Sequence, residues 1–78
     1  MFVQGKDEIV DNVMDDFNCP IIVSRFEKAD GTPVVAVCNA SQTNIASVHV
    51  TFKALYEKFT KRDIHLAPGA VYVFTLNK

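Results

Sequence analysis

A chain of 78 residues with a formal net charge of −1 has room for one domain and lacks the basic stripe of a nucleic-acid binder. Its apolar content of 49% is too high for a disordered segment. No apolar run approaches the roughly 18 residues of a membrane span, and the first residues lack the apolar core of a signal peptide.

Met1 to Asn18 read differently from the remainder. Ile9, Val10, Val13, Met14 and Phe17 fall on one face of a helix by their spacing, with Asp7, Asp11, Asp15 and Asp16 largely on the other. The spacing predicts a short helix over Ile9–Phe17, opened at Lys6 or Asp7 and ended by Asn18 and Pro20. The chain thus divides into 1–19, a helical or linker segment, and 20–78, a β domain.

Pro20 to Ala40 is the strongest hairpin signal. Ile21–Lys28 and Val34–Asn39 are β-rich, and Asp30-Gly31 between them predicts a two-residue turn. In that register Ala29 faces Thr32 and Cys38 faces Val23. Cys19 then lies four residues from the partner of Cys38, roughly 13 Å along the strand, beyond the reach of about 7 Å that a disulfide allows. Free thiols are therefore expected. Val34–Asn39 is apolar on both faces, which suits a central strand. Asn39-Ala40-Ser41 forms a glycosylation sequon, a weak three-residue pattern.

Ala46–Phe52 alternates Ala46, Val48, Val50 and Phe52 with Ser47, His49 and Thr51, so one face is core and the other is water. Ala54–Arg62 predicts a loop plus a short strand, although Leu55, Tyr56 and Phe59 also suit a helical turn. Ala67-Pro68-Gly69 predicts a type II turn. Ala70–Leu76 closes the set, with Ala70, Tyr72, Phe74 and Leu76 on one face. The expected fold is mainly β: an antiparallel β-sandwich-like domain of five to six strands with a short N-terminal helix. Its expected core is Ile22, Val23, Phe26, Val35, Val37, Val48, Val50, Phe52, Tyr72 and Phe74.

Chemistry is sparse. His49 and His65 have no Cys or second His at ligand spacing, so neither a metal nor a cofactor is implied. Ser24, Cys38, Ser41 and Ser47 sit in no nucleophile elbow. A Cys38–His49 pair would have to assemble in space. Lys53, Lys58, Lys61 and Arg62 interleave with Tyr56 and Phe59, but the net charge favours solvated lysines beside core aromatics. Tyr56, Phe59 and Tyr72 are the candidate ligand-binding residues, as a stacking platform for carbohydrate. Arg25 has no assignable purpose in the sequence.

Ile22-Val23-Ser24-Arg25-Phe26, Asp30-Gly31 and Val35-Ala36-Val37-Cys38-Asn39-Ala40-Ser41, with the closing Leu66-Ala67-Pro68-Gly69-Ala70-Val71-Tyr72-Val73-Phe74, resemble the small C-terminal β-sandwich appended to the catalytic barrel of many glycoside hydrolases. The resemblance spans 20–76 and implies a non-catalytic accessory domain. Its partner would be a neighbouring catalytic domain of the same parent chain, or a second copy through apolar surface. An origin in such an enzyme implies a secreted or periplasmic setting. No catalytic barrel lies in these residues, so no hydrolase activity is carried over. The alternative is a free-standing carbohydrate-binding module built on Tyr56, Phe59 and Tyr72.

Overall fold

A computed structural model describes residues 9–77. Among them six strands form two three-stranded antiparallel sheets. The first sheet has the order β1 (Val10–Asp15), β4 (Ala46–Phe52), β5 (Lys61–Leu66); the second has β2 (Ile21–Glu27), β3 (Pro33–Asn39), β6 (Val71–Thr75). The sheets face each other in a sandwich-like arrangement around one core. Val10, Ala46, Val48, Val50, Phe52, Ile64 and Leu66 come from the first sheet, and Val35, Val37 and Phe74 from the second. Phe52 meets Phe74 edge to face across the core, with ring centroids 5.0 Å apart, a preferred aromatic geometry.

The helix expected over Ile9–Phe17 is instead strand β1, hydrogen-bonded to β4. A β-bulge explains the misleading period. The register shifts between Val10, opposite Phe52, and Asn12, opposite Thr51. The inserted residue places Val10 and Val13, three apart, on the same inner side, as a helix would. The expected helix start at Lys6 or Asp7 lies outside the described residues. Asp15 ends β1. Its Oδ1 accepts from the Ser47 N–H (2.6 Å), and its Oδ2 accepts from the N–H groups of Cys19 (2.7 Å) and Phe17 (3.1 Å). That carboxylate closes the turn into β2 around Asn18, which has a φ of 56°.

The β2–β3 hairpin exists, but its turn has three residues. Lys28 N–H donates to Thr32 O (2.9 Å), and Gly31 N–H donates to Lys28 O (2.9 Å). Ala29-Asp30-Gly31 is thus a turn closed by a bulged glycine, with Gly31 at φ 87°. Asp30 Oδ1 accepts from Thr32 N–H at 2.9 Å and stiffens it further. One added loop residue slips the register, so Cys38 faces Ile22 rather than Val23. The slip changes which side chains share a face. Ile22 and Phe26, expected in the core, are each 56% exposed, because they fall on the outer side with Val34, Ala36 and Cys38. Val23 and Tyr72 are half-buried against the core. Ile9, Val10, Ala46, Ile64, Leu66 and Leu76 complete it. Both cysteines are free.

Between β4 and β5 the chain forms a 3-10 helix over Ala54–Phe59, so the helical spacing of Leu55, Tyr56 and Phe59 prevails over their strand propensity. Lys61–Leu66 is then one continuous strand rather than a short piece at its end. The Pro68-Gly69 turn forms as a type II turn: Ala70 N–H donates to Ala67 O (2.9 Å) and Gly69 has φ 78°.

The three-residue turn yields a direct test. A Cβ on Gly31 would meet no atom within 4 Å, so Gly31→Ala adds no clash. It adds only the strain of a left-handed L residue, roughly 1–2 kcal/mol. The urea midpoint should fall accordingly; an unchanged midpoint would contradict this turn geometry.

Candidate functional site

The sandwich presents two outer faces of opposite character. On the β2–β3–β6 sheet, strand pairing aligns Ile22–Cys38–Val71, Ser24–Ala36–Val73 and Phe26–Val34–Thr75 in three rows. Alternation along each strand forces this outward set, since Val35, Val37 and Phe74 point to the core. None of the nine side chains is charged. Ile22, Phe26, Val71 and Val73 are 54–56% exposed.

The outer face of the β1–β4–β5 sheet is polar. Ser47, His49 and Thr51 of β4 lie between Met14 and Asp16 on one side and Asp63 and His65 on the other. The His49 Nε2 lies 2.9 Å from Asp16 Oδ2, and the Asp63 N–H donates to Nδ1 at 3.2 Å. His49 beside Asp16 is the main reason that its carboxyl is held below the usual aspartate range, opposed by partial burial and assisted by Ser47 and His65. Asp16, His49 and Asp63 each bring a donor atom within 4.8 Å of the others. A bound cation needs a ring lone pair. Nδ1 spends its lone pair on the Asp63 N–H, and Nε2 then carries the proton that Asp16 accepts. A cation among these three donors would have to displace both hydrogen bonds of the ring. Ser47 hydrogen-bonds Asp16, not His49, so no Ser–His nucleophile pair is aligned. Cys38 and His49 lie on opposite outer faces of the sandwich and cannot meet.

The three carbohydrate candidates are not displayed alike. Tyr56, Phe59 and Tyr72 are each half-buried and packed against the core. The lysines of the expected basic cluster sit on two of the rings: Lys58 Nζ is 5.3 Å from the centroid of Phe59, and Lys61 Nζ is 5.6 Å from that of Tyr72. Tyr72 also packs on Phe74, centroids 4.8 Å apart. Tyr56 lines an open depression of about 260 Å³ with Asp30, Gly31, Thr32, Pro33 and Leu76. The Asp30 carboxyl there is held below its usual range, chiefly by the Thr32 backbone N–H and then the Thr32 side chain.

The sequon is closed to modification in the folded protein. Asn39 is fully buried; its Nδ2 donates to Asn44 O (2.8 Å) and Leu66 O (3.0 Å), and its Oδ1 accepts from Ser41 N–H (2.9 Å). Desolvation and then Asp15 push the Cys19 thiol above its usual range. Neither the burial of Asn39 nor the β5 bulge opposite His49 leaves a periodic signal in sequence.

Compared with known proteins, the chain matches no family model, no curated protein and no solved structure.

Asn39→Ala should lower stability by about 2–3 kcal/mol, because it orphans the buried Leu66 carbonyl and two further partners. Equilibrium urea unfolding measures this. A loss under 0.5 kcal/mol would mean that water replaces the amide without penalty.

Proposed function

We propose that this chain is a non-catalytic interaction domain that docks the outer face of its β2–β3–β6 sheet against a neighbouring domain of its parent protein. One observation carries the reading: the face is continuous, mostly apolar and free of charge, whereas the opposite outer face is polar and titratable. Contiguous apolar patches of a few hundred Å² mark interaction sites. Three strands about 4.8 Å apart and five residues long, at about 3.4 Å each, span a patch of that order. That is roughly 240 Å² in plan and about 500 Å² counted over both partners, near the lower end of inter-domain interfaces at about 600 Å² and far below a self-standing dimer of about 1,600 Å². A domain partner is therefore favoured over a second copy. The identity of the parent as a carbohydrate-active enzyme is supported only by the Arg25-Phe26, Asp30-Gly31 and Pro68-Gly69 motifs.

Cys38 lies on the central strand of this face, in the Ile22–Cys38–Val71 row, and reports on its coverage. In a Cys19→Ala background, maleimide labelling of Cys38 should be at least tenfold slower in the complete gene product than in the isolated chain. Charged substitution at Val73 (Val73→Lys) should restore the rate with little change in melting temperature. Equal labelling in the two forms would overturn the reading.

A carbohydrate module is the second reading, favoured by the placement of Tyr56 and the Asp30 carboxylate in one open depression. Titration with a panel of oligosaccharides should then shift the amides of Asp30–Pro33 region residues Gly31 and Thr32, and Tyr56→Ala should abolish the shifts. No shift at millimolar sugar would remove this reading.

A further inference from the structure

His49 lies on the outer face of β4 with 15% of its side chain exposed. Strand β5 does not pass it in regular register. Val48 faces Ile64 and Val50 faces Lys61, so Arg62 and Asp63 together stand opposite His49. This is a β-bulge. Asp63 takes φ 58°, a left-handed conformation that Asp tolerates better than most L residues and that its surroundings still help to hold. The hold is visible: the Asp63 N–H donates to His49 Nδ1 at 3.2 Å. Its carboxylate, by contrast, waits with Oδ1 4.0 Å from the same ring nitrogen.

The charged and titratable groups around the ring come from both flanking strands. Asp16 follows β1 and accepts from Nε2–H, while β5 contributes Asp63, with Arg62 beside it in the bulge and His65 two residues on; Lys61 turns instead to the Tyr72 ring. The ring is thus held between two carboxylates, but only one of them touches it in the neutral form. The other side is occupied by a backbone N–H, a partner that demands an unprotonated nitrogen.

We propose that His49 is a proton-operated latch on the β5 bulge. In the neutral form Nδ1 accepts the Asp63 N–H and keeps the bulge closed. A proton from solvent on Nδ1 removes that lone pair and sets two donors against each other. The Asp63 peptide then leaves the ring, and the Asp63 carboxylate takes the new Nδ1–H. Asp16 keeps Nε2–H throughout, so the ring stays in place while the strand opposite it changes. No covalent bond other than N–H forms. Unperturbed imidazole is the one side chain that changes charge between about pH 5 and 8, and that is the range over which the latch is tested. It lies on the face opposite the docking surface and does not depend on that reading.

NMR on the whole chain tests this. Between pH 8 and 5 the Asp63 amide should shift with the same midpoint as the His49 ring, and its exchange protection should fall about tenfold or more on the acid side. His49→Asn places Oδ1 where Nδ1 lies and accepts without titrating, so its Asp63 amide should stay put and protected. His65→Asn should behave like the wild type. An Asp63 amide that stays fixed while His49 titrates, or that follows His65, would overturn the latch. If His49→Asn does not fold, the wild-type titration decides by itself.

Discussion

The side chain of Asn39 reaches from the last residue of β3 to the Leu66 carbonyl at the end of β5, and so ties one sheet to the other. It also holds the β3–β4 connection through Asn44 O and Ser41 N–H. Its backbone N–H donates to Ala70 O, and its carbonyl accepts from Gly69 N–H, which locks the turn into β6. Every polar atom of a fully buried amide is used. Among the described residues no buried side-chain nitrogen or oxygen is left without a partner. A polar group in such a place is tolerable only when satisfied, and once satisfied it admits a single arrangement of its neighbours. Apolar contacts such as Phe52 on Phe74 hold the sheets together but tolerate sliding. The Asn39 amide sets where they stop.

Asp15 performs a related task at the β1–β2 turn, where its carboxylate gathers the N–H groups of Phe17, Cys19 and Ser47. Both residues therefore serve loop and sheet at once. With loops fixed this way, the strands are free to differ in what they show to solvent. The β1–β4–β5 sheet turns Ser47, His49, Asp16 and Asp63 outward and breaks its ladders twice, at the bulges in β1 and β5. Charge and bulges both discourage strand addition at a sheet's edges. The β2–β3–β6 sheet has an unbroken register and an uncharged outer face. The asymmetry is why the proposed docking surface falls on one side and the titratable cluster on the other.

Strand positions with one wet and one dry side were legible in the sequence. Ala46–Phe52 and Ala70–Leu76 alternate cleanly, and the structure places Val48, Val50, Phe52 and Phe74 where that alternation puts them. The Pro68-Gly69 turn was legible for a local reason, since only glycine takes its left-handed position freely. Legibility failed where one residue was inserted. The bulge between Val10 and Asn12 turned a period of two into an apparent helical spacing, and the third loop residue before Gly31 turned Ile22 and Phe26 outward. The candidate site was legible even less. His49 lies on β4, Asp63 on β5 and Asp16 in the turn after β1, and nothing local in the chain relates them. The rings of Tyr56, Phe59 and Tyr72 were named as one platform, yet Lys58 lies over its chain neighbour Phe59, Lys61 reaches Tyr72 on the other sheet, and Tyr56 lies at a groove.

The sequence by itself determined the β class, the turn glycines and half of the buried core. These follow from side-chain period and backbone sterics, which act over a few residues. Register, and with it the choice of which apolar residues face water, was decided by the tertiary structure. A single bulge or loop residue shifts every later side chain by one position, and whether it is inserted depends on hydrogen bonds to another strand. For that reason the uncharged face around Ala36 and the proton-holding cluster around His49 exist only in the folded sandwich.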